Sequence, residues 1–236
     1  MDDSDPLAAP HRSPTADRPL LGMTVLVVED SRFASEALRL LCLRSGARIR
    51  RADSLRSAHR HLQVYRPTAV VVDLGLPDGS GADLIRTLAR TVPRVSVLLG
   101  TSGDATGEAE AMAAGADGFL AKPVTSLPWF QSQILSRLPP DRQPPGPREI
   151  AEEEIAPDPI ALHDDLAMVV DRLDDPDSAD IAYIAQFVGG VALSARDSVL
   201  AAAANDLARA RGGSVARATR HMTGLISQRL SERRVI

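Results

Sequence analysis

Four side chains that could carry chemistry stand directly behind short β-favouring runs. Glu29 and Asp30 follow the first such run, Asp73 follows a central one, and Lys122 follows the last. Carboxylates that converge repel one another unless a cation lies among them, and an all-oxygen site with few protein ligands favours Mg²⁺. A carboxylate nucleophile, a metal ion and a lysine are the groups needed for phosphoryl transfer to an aspartate, because that chemistry depends on positioning and charge neutralisation.

Lys122 is the only lysine among the 27 basic residues of the chain, all the others being arginine. A lysine presents a compact point charge, whereas an arginine presents a longer planar fork. The use of lysine at this one position therefore indicates that a compact ammonium is required there, with chance as the competing explanation.

The elements that position these residues alternate between strand and helix. Runs of Val, Leu and Ile that are apolar on both faces are typical of a parallel sheet covered by helices. The predicted fold class is α/β, a doubly wound five-stranded parallel sheet of the flavodoxin-like type, in which ligands gather at the carboxyl ends of the strands. The predicted strands are 24–28, 48–52, 69–72, 95–99 and 118–121, and the predicted helices are 31–45, 54–65, 81–91, 108–114 and 126–138.

The chain divides into four regions by composition. Residues 1–21 are polar and proline-containing and predict a disordered tail, and residues 22–138 form the α/β domain. Residues 139–159 hold seven of the 17 prolines and predict an acidic linker. Residues 160–236 predict a small all-α domain, with helices expected at 160–173, 181–188, 191–210 and 215–230.

Composition excludes several classes of protein. Aromatic residues make up only 3% of the chain, which disfavours stacking platforms for single-stranded nucleic acid. A single cysteine, Cys42, permits neither an internal disulfide nor a thiolate metal cage. We find no apolar stretch long enough to span a membrane and no signal peptide, so we expect a cytoplasmic protein without membrane partners.

Charge is distributed unevenly after the α/β domain. Residues 141–180 hold 3 basic and 13 acidic side chains, a net charge of −10, whereas residues 181–236 hold 8 basic and 3 acidic, a net charge of +5. Opposite charges on exposed groups attract weakly and are screened by salt. This asymmetry predicts that the acidic segment masks the basic helices in a resting state.

Three segments of the α/β region resemble the receiver domain of two-component response regulators. They are Val25–Asp30 (VLVVED), Val71–Gly81 (VVDLGLPDGSG) and Ala114–Pro123 (AGADGFLAKP), in the order and with the spacing of that family. The resemblance covers about half of the chain, and the three motifs together are highly specific. It leaves the helical region after the linker unmatched.

The resemblance implies roles for the residues identified above. Asp73 is implied as the phosphoacceptor, and Lys122 as a contact of the phosphoryl group. The implied Mg²⁺ ligands are Glu29, Asp30, Asp73 and the backbone carbonyl of Gly75. A sensor histidine kinase or a histidine phosphotransferase is the implied donor, which makes the chain a phosphoacceptor with at most slow self-dephosphorylation and not an enzyme.

Two further positions of the family are assigned directly, and a third has two possible residues. Phe119 falls where the family has its switch aromatic, and the Lys122–Pro123 peptide is implied to be cis. The family also has a hydroxyl at the end of the fourth strand that contacts the phosphoryl group. A gap-free count back from Lys122 puts Gly100 there, whereas a count forward along the strand puts Thr101 there; we assign the contact to Thr101.

The helical region has two possible output functions, protein interaction and DNA binding, and we prefer protein interaction. Leu193, Leu200 and Leu207 recur every seven residues beside an alanine run, which suggests an interaction module or a homodimer. The alternative is a DNA-binding transcriptional output that uses seven arginines, Arg209, Arg211, Arg217, Arg220, Arg229, Arg233 and Arg234.

A third hypothesis is that the α/β domain is a Mg²⁺-dependent phosphohydrolase whose reaction passes through an aspartyl phosphate. Asp73 is followed by Leu74 and Gly75, so no second carboxylate stands two positions later to act as general acid and base. The sequence therefore favours the phosphoacceptor over the phosphohydrolase.

Overall fold

The computed structural model describes residues 13–146, 153–174 and 180–232, which form an α/β domain followed by four helices. None of the helices in these ranges combines the length and the apolar character needed to cross a bilayer. The strands are β1 (Thr24–Val28), β2 (Arg48–Ala52), β3 (Ala69–Asp73), β4 (Gly75–Leu76), β5 (Gly79–Ser80), β6 (Val97–Ser102) and β7 (Gly118–Ala121). The helices are α1 (Arg32–Arg44), α2 (Leu55–Val64), α3 (Gly81–Arg90), α4 (Gly107–Ala114), α5 (Leu127–Leu135), α6 (Pro159–Asp174), α7 (Ile181–Ser194), α8 (Ser198–Arg209) and α9 (Ser214–Glu232), with a 3₁₀ turn at Pro140–Arg142.

Five strands form one parallel sheet in the order β2-β1-β3-β6-β7. The strand order reverses beside β1, the first strand, so the crevice outside β1 and β3 is the expected ligand position of this fold. The predicted fold class is confirmed. The short strands β4 and β5 form a separate antiparallel hairpin directly after β3.

Local sequence signals determine where the helices begin and end. Ser31, Ser54, Ser80 and Ser126 each accept a backbone N–H at a helix N-terminus, which satisfies a donor that would otherwise lack a partner. Gly115 ends α4 in the left-handed conformation, at φ 101°. The predicted helices of the α/β domain therefore agree with the structure to within a few residues.

Apolar layers on both faces of the sheet hold the domain together. On one face α1 and α5 bury Leu41, Phe130 and Ile134 against the sheet. On the other face α2, α3 and α4 bury side chains that include Ile85. Removal of these apolar surfaces from water is the main stabilising contribution to such a layered fold.

The α/β domain begins earlier than predicted. Leu20 is fully buried in the layer beneath α1, and its N–H donates to the carbonyl of Ser45 at 2.9 Å. The Arg18 side chain lies against Gly46, which has φ 83°. The end of the expected tail, from Arg18 onward, thus packs on the domain, and the boundary expected at residue 22 is too late; residues 1–12 lie outside the described ranges.

The second half of the expected linker is also packed. Ile155 is buried in the α1–α5 layer, and its N–H donates to the carbonyl of Thr125 at 2.9 Å. Glu153 accepts through its carbonyl from the N–H of Leu127. Residues 153–155 therefore run antiparallel to the start of α5, whereas residues 147–152 lie outside the described ranges.

The last four helices form a bundle, and the break between α7 and α8 lies at a different position from the prediction. We expected helices at 181–188 and 191–210, separated by Gly189 and Gly190, but both glycines lie inside α7. The chain instead turns at Arg196, which has φ 57°, and Asp197 caps α8 by accepting the N–H of Leu200. Leu200 and other apolar side chains of α7, α8 and α9 form the core of the bundle.

Acidic groups of the segment 141–180 do not mask the basic C-terminal helices in the described ranges. Most of their ion pairs are formed with α1 of the α/β domain, and one joins the linker to the α7–α8 turn. The pairs are Arg32–Asp164 at 2.8 Å, Arg44–Glu153 at 3.1 Å and Arg196–Glu154 at 2.6 Å. Helix α6 does pack against α9, as expected, but the described acidic groups pair with other arginines, so the expected charge masking does not form between the described residues.

Truncation of Phe130 should test how far the α5 layer stabilises the fold. Phe130→Ala should lower the free energy of unfolding by roughly 3–5 kcal/mol, since it removes a fully buried ring. The measurement is urea unfolding followed by circular dichroism. The matched control is Trp129→Ala, whose side chain is exposed and should change the stability by about 0.5 kcal/mol or less; equal losses for the two variants would contradict the assigned packing.

Candidate functional site

The carboxyl ends of β1, β3 and β7 bring the four predicted residues together. Oxygen atoms of Glu29, Asp30 and Asp73 all lie within 4.8 Å of one another. The Lys122 Nζ atom lies 2.8 Å from Glu29 Oε2 and 2.9 Å from Asp73 Oδ2. The ammonium thus bridges two carboxylates, with its side chain only 5% exposed.

Burial controls the electrostatics of this cluster. Burial opposes the charged form of Lys122, but the Asp73 and Glu29 carboxylates outweigh it and raise the lysine pKa, so the ammonium persists. Burial, with the charge of Asp73 added, raises the pKa of Glu29 well above its usual value. Burial likewise raises the pKa of Asp30 to about 6. One ammonium faces three carboxylates, and the site therefore has a deficit of positive charge.

The donor set fits Mg²⁺. It consists of oxygen atoms only, with a charge deficit that a divalent cation would neutralise. Gly75 lines the same cavity as the three carboxylates. When bound, Mg²⁺ would be held by Glu29, Asp30, Asp73 and the Gly75 carbonyl, and it would supply charge neutralisation for an incoming phosphoryl group.

The turn after β3 depends on a glycine. A Cβ atom at Gly81 would lie 1.9 Å from the backbone oxygen of Asp73, so no larger residue fits there. The Gly81 N–H donates to the carbonyl of Leu74 at 3.0 Å and closes the hairpin of β4 and β5 back onto β3. The motif around Asp73 therefore fixes the backbone that presents the carboxylate.

The two neighbouring hydroxyls at the end of the fourth main strand, those of Thr101 and Ser102, lie in different surroundings. The Thr101 hydroxyl is fully buried and donates to the carbonyl of Leu120 at 2.7 Å, within the sheet. Ser102, the next residue, lines the cavity that contains Asp73 and Lys122. The geometry does not support Thr101 as the phosphoryl contact, because successive side chains of a strand point to opposite faces.

Gly100, the alternative position, has no side chain and faces the α3–α4 layer. A Cβ atom there would meet Ala111 at 2.5 Å and the ring of Phe119 at 3.4 Å. Phe119 is itself buried on β7, opposite Gly100 in the strand register. The Lys122–Pro123 peptide bond is cis, which is the geometry that the resemblance implied.

The helical region contributes residues that sequence reasoning missed. The Tyr183 hydroxyl donates to Asp30 Oδ2 at 2.6 Å. Gln186, one turn further along α7, lies against Gly75, where a Cβ atom would come within 2.4 Å of its amide nitrogen. One signal was visible in the sequence, since Tyr183 is one of only two tyrosines and lies in an apolar helix beside a Gly–Gly pair.

These features define the α/β domain as a doubly wound parallel-sheet domain with an acidic, lysine-bridged site at the carboxyl edge of its sheet. The family profile described as the response regulator receiver domain matches residues 25–128, less than half of the chain. This part of the chain is therefore similar to the receiver domains of two-component response regulators.

Curated proteins are similar to this chain over less than half of its length. The KDP operon transcriptional regulatory protein KdpE of Escherichia coli is 32% identical over 42% of this chain and 44% of its own length. The virulence transcriptional regulatory protein PhoP of Salmonella typhimurium is 34% identical over 43% of this chain and 46% of its own length. The chain therefore spans about half the length of these curated relatives.

A solved structure shows a likeness of the same extent. It is a response regulator protein from Burkholderia pseudomallei with a phosphorylated aspartic acid, calcium ion and citrate, 29% identical, with a TM-score of 0.42. The likeness covers 48% of this chain and 66% of that one.

A pair of substitutions separates the roles of the two neighbouring hydroxyls. Ser102→Ala should slow labelling of the chain by a small phosphodonor about tenfold, because the cavity loses its hydroxyl donor beside Lys122. Thr101→Val should leave that rate unchanged and lower the free energy of unfolding by about 1 kcal/mol, since only the bond to Leu120 is lost. Initial labelling rates and urea unfolding measure the two effects. The opposite pattern would restore Thr101 as the phosphoryl contact.

Proposed function

We propose that the chain accepts a phosphoryl group on Asp73 and relays this event to its helical region. The observation that carries the proposal is the Lys122 ammonium, which lies 2.9 Å from Asp73 inside a cluster of carboxylates at the carboxyl edge of the sheet. A nucleophilic carboxylate held beside a cation is prepared for attack on phosphorus, because charge neutralisation is the main requirement of that step.

Each residue of the cluster has a defined task in this proposal. Asp73 attacks the phosphorus atom of a phosphohistidine on the donor, the phosphorus–nitrogen bond breaks, the histidine leaves, and Asp73 becomes an aspartyl phosphate. Lys122 neutralises a phosphoryl oxygen, and its fixed position supports this role because two carboxylates hold the ammonium. Glu29 and Asp30, with the Gly75 carbonyl, would hold a Mg²⁺ ion, which would reduce repulsion between Asp73 and the incoming group. A histidine kinase or a histidine phosphotransferase is the proposed donor.

Phe119 is the proposed switch aromatic. Its ring lies between the strand end at Gly100 and the start of α4 at Gly107, where Cβ atoms would meet it at 3.4 and 3.2 Å. A change at the phosphoacceptor cavity reaches this ring through β6, which carries Ser102 at its end. The two glycines leave room in which the ring could change position.

The proposed output of the helical region is protein interaction. The heptad leucines do not offer a dimer surface, because Leu200 and Leu207 are buried in the core of the bundle and Leu193 contacts Gly103 of the receiver domain. A homodimer through the C-terminal helices would therefore need other residues. The bundle surface that faces the receiver domain is the one best placed to respond to phosphorylation.

DNA binding is the second candidate, since both curated relatives are named as transcriptional regulators. Their similarity covers only 42% and 43% of this chain, so their names do not establish the output of the helical region. Of the seven arginines considered, Arg229 is paired with Asp197 at 2.8 Å, and 233–234 lie outside the described residues. The remaining four, which are exposed, are Arg209, Arg211, Arg217 and Arg220.

The phosphohydrolase alternative lacks a group for its second step. Leu74 and Gly75 follow Asp73, and Gly75 begins a tight hairpin instead of offering an acid. One phosphoryl group bound per chain, released slowly, is therefore the expected stoichiometry.

Replacement of the nucleophile tests the proposed phosphorylation. With Mg²⁺ and a small phosphodonor, intact-mass measurement should show one phosphoryl group on the native chain and none on Asp73→Asn, which keeps the shape and removes the nucleophile. Asp83→Asn is the matched control, because that exposed carboxylate on α3 pairs only with Arg86. Equal labelling of the native chain and Asp73→Asn would sink the assignment, and chelation of Mg²⁺ should abolish labelling of the native chain.

Charge reversal on α9 distinguishes the two outputs. If the output is protein interaction, the phosphorylated chain should not bind random duplex DNA at physiological salt. The double variant Arg217→Glu with Arg220→Glu should then give the same anisotropy as the native chain. Fluorescence anisotropy over a range of salt concentrations measures this. Tight binding that falls steeply with salt and is lost in the double variant would establish the DNA-binding output instead.

A further inference from the structure

Helix α7 lies across the opening of the phosphoacceptor site. With α8 it forms one wall of a cavity of about 330 Å³, and Asp73 and Lys122 lie in the opposite wall. The side chains of Glu29, Asp73 and Lys122 are only 0%, 9% and 5% exposed. A phosphodonor protein therefore cannot reach Asp73 while α7 keeps this position.

Two glycines in the middle of α7 lie near Lys122 and α8. A Cβ atom at Gly190 would lie 3.5 Å from the Lys122 Nζ atom, and one at Gly189 would lie 3.8 Å from Ala204 of α8. Both distances are ordinary van der Waals contacts, so an alanine would fit at either position. Each glycine lowers helix stability by about 1 kcal/mol relative to alanine, so the pair leaves α7 less stable on its own.

Tyr183 connects α7 to a residue that the metal requires. Its hydroxyl donates to Asp30 Oδ2 at 2.6 Å, and the Arg172 guanidinium lies 5.2 Å from the centre of its ring. Mg²⁺ would draw on the oxygen atoms of the same carboxylate. The Tyr183 hydroxyl and the metal ion would thus compete for the carboxylate of Asp30.

Asp165 of α6 provides a second contact. This buried carboxylate accepts from the Ser31 hydroxyl at 2.7 Å and from the N–H groups of Arg32 and Phe33 at 2.9 and 3.0 Å. These N–H groups belong to the first turn of α1, where a negative charge is favourable. The helical region thereby completes the cap of a receiver helix that begins beside Asp30.

We propose that α6 and α7 form an intramolecular cover over the phosphoacceptor site, held by Tyr183 on Asp30 and by Asp165 on α1, and released when Mg²⁺ and a phosphoryl group occupy the site. The proposal rests on the proposed function. The wall that α7 and α8 contribute to the cavity contains alanine, glycine, amide and apolar side chains but no cation among the described lining residues. In the closed state this wall therefore adds no positive charge to that of Lys122 when negative charge is added to Asp73.

The first arm of the test measures metal affinity of the full chain. Isothermal titration with Mg²⁺ should give about three- to tenfold tighter binding for Tyr183→Phe than for the native chain, the range expected when one hydrogen bond to a carboxylate no longer competes. Tyr65→Phe is the matched control, because that hydroxyl contacts only His61 on α2. Unchanged or weaker Mg²⁺ binding by Tyr183→Phe would overturn the competition at Asp30.

The second arm measures release of the cover. Amide hydrogen exchange at Arg32 and Phe33 should be at least about tenfold faster in Asp165→Asn, and faster in the native chain on addition of Mg²⁺ with beryllofluoride. Asp164→Asn, which loses only the exposed pair with Arg32, should retain the native protection. Unchanged exchange in the native chain with these ligands would overturn the release. Mass labelling of Asp73 distinguishes the two failures: absence of labelling removes the proposed function, whereas labelling with unchanged exchange overturns the release alone.

Discussion

The Lys122 ammonium between Glu29 and Asp73 is the interaction on which the arrangement of the whole chain depends. Three carboxylates meet at the edge of the sheet, and an uncompensated charge in such a buried place is costly. The ammonium compensates two of them, while Asp30 receives a hydrogen bond from Tyr183 in another domain. The same charge deficit that suits the receiver domain to a metal ion therefore also attaches the helical bundle to it.

Much of the α/β domain could be predicted because its signals are local. Continuous Val and Leu runs specify strands buried on both faces, and serine caps with terminal glycines or prolines specify where helices begin and end. The approach of Glu29, Asp73 and Lys122 followed from the rule that parallel strands end at one edge. In a parallel sheet, the order of the strands therefore determines which residues are neighbours at the site.

The errors arose where one residue or one distant contact decides the outcome. Leu20 and Ile155 lie in proline-containing stretches with too few apolar residues to form a period, so periodicity cannot reveal that they are buried. Thr101 and Ser102 are neighbours at a strand end, but the Thr101 side chain lies within the sheet whereas Ser102 lines the cavity. An error of one position in the alignment therefore selects the wrong hydroxyl. Gly189 and Gly190 predict a break locally, but both lie inside α7, which packs between α8 and the α/β domain.

The Gly–Gly pair also affects the order of α7 itself. Two glycines together disfavour the helix by about 2 kcal/mol relative to alanine, and an isolated helix of this length is marginal in water. The order of α7 therefore depends on being held between α8 and the receiver surface, instead of arising from its own residues. Departure of α7 from that surface should loosen its backbone as well as move it, so that a chemical event at one carboxylate is converted into a local change between ordered and disordered chain.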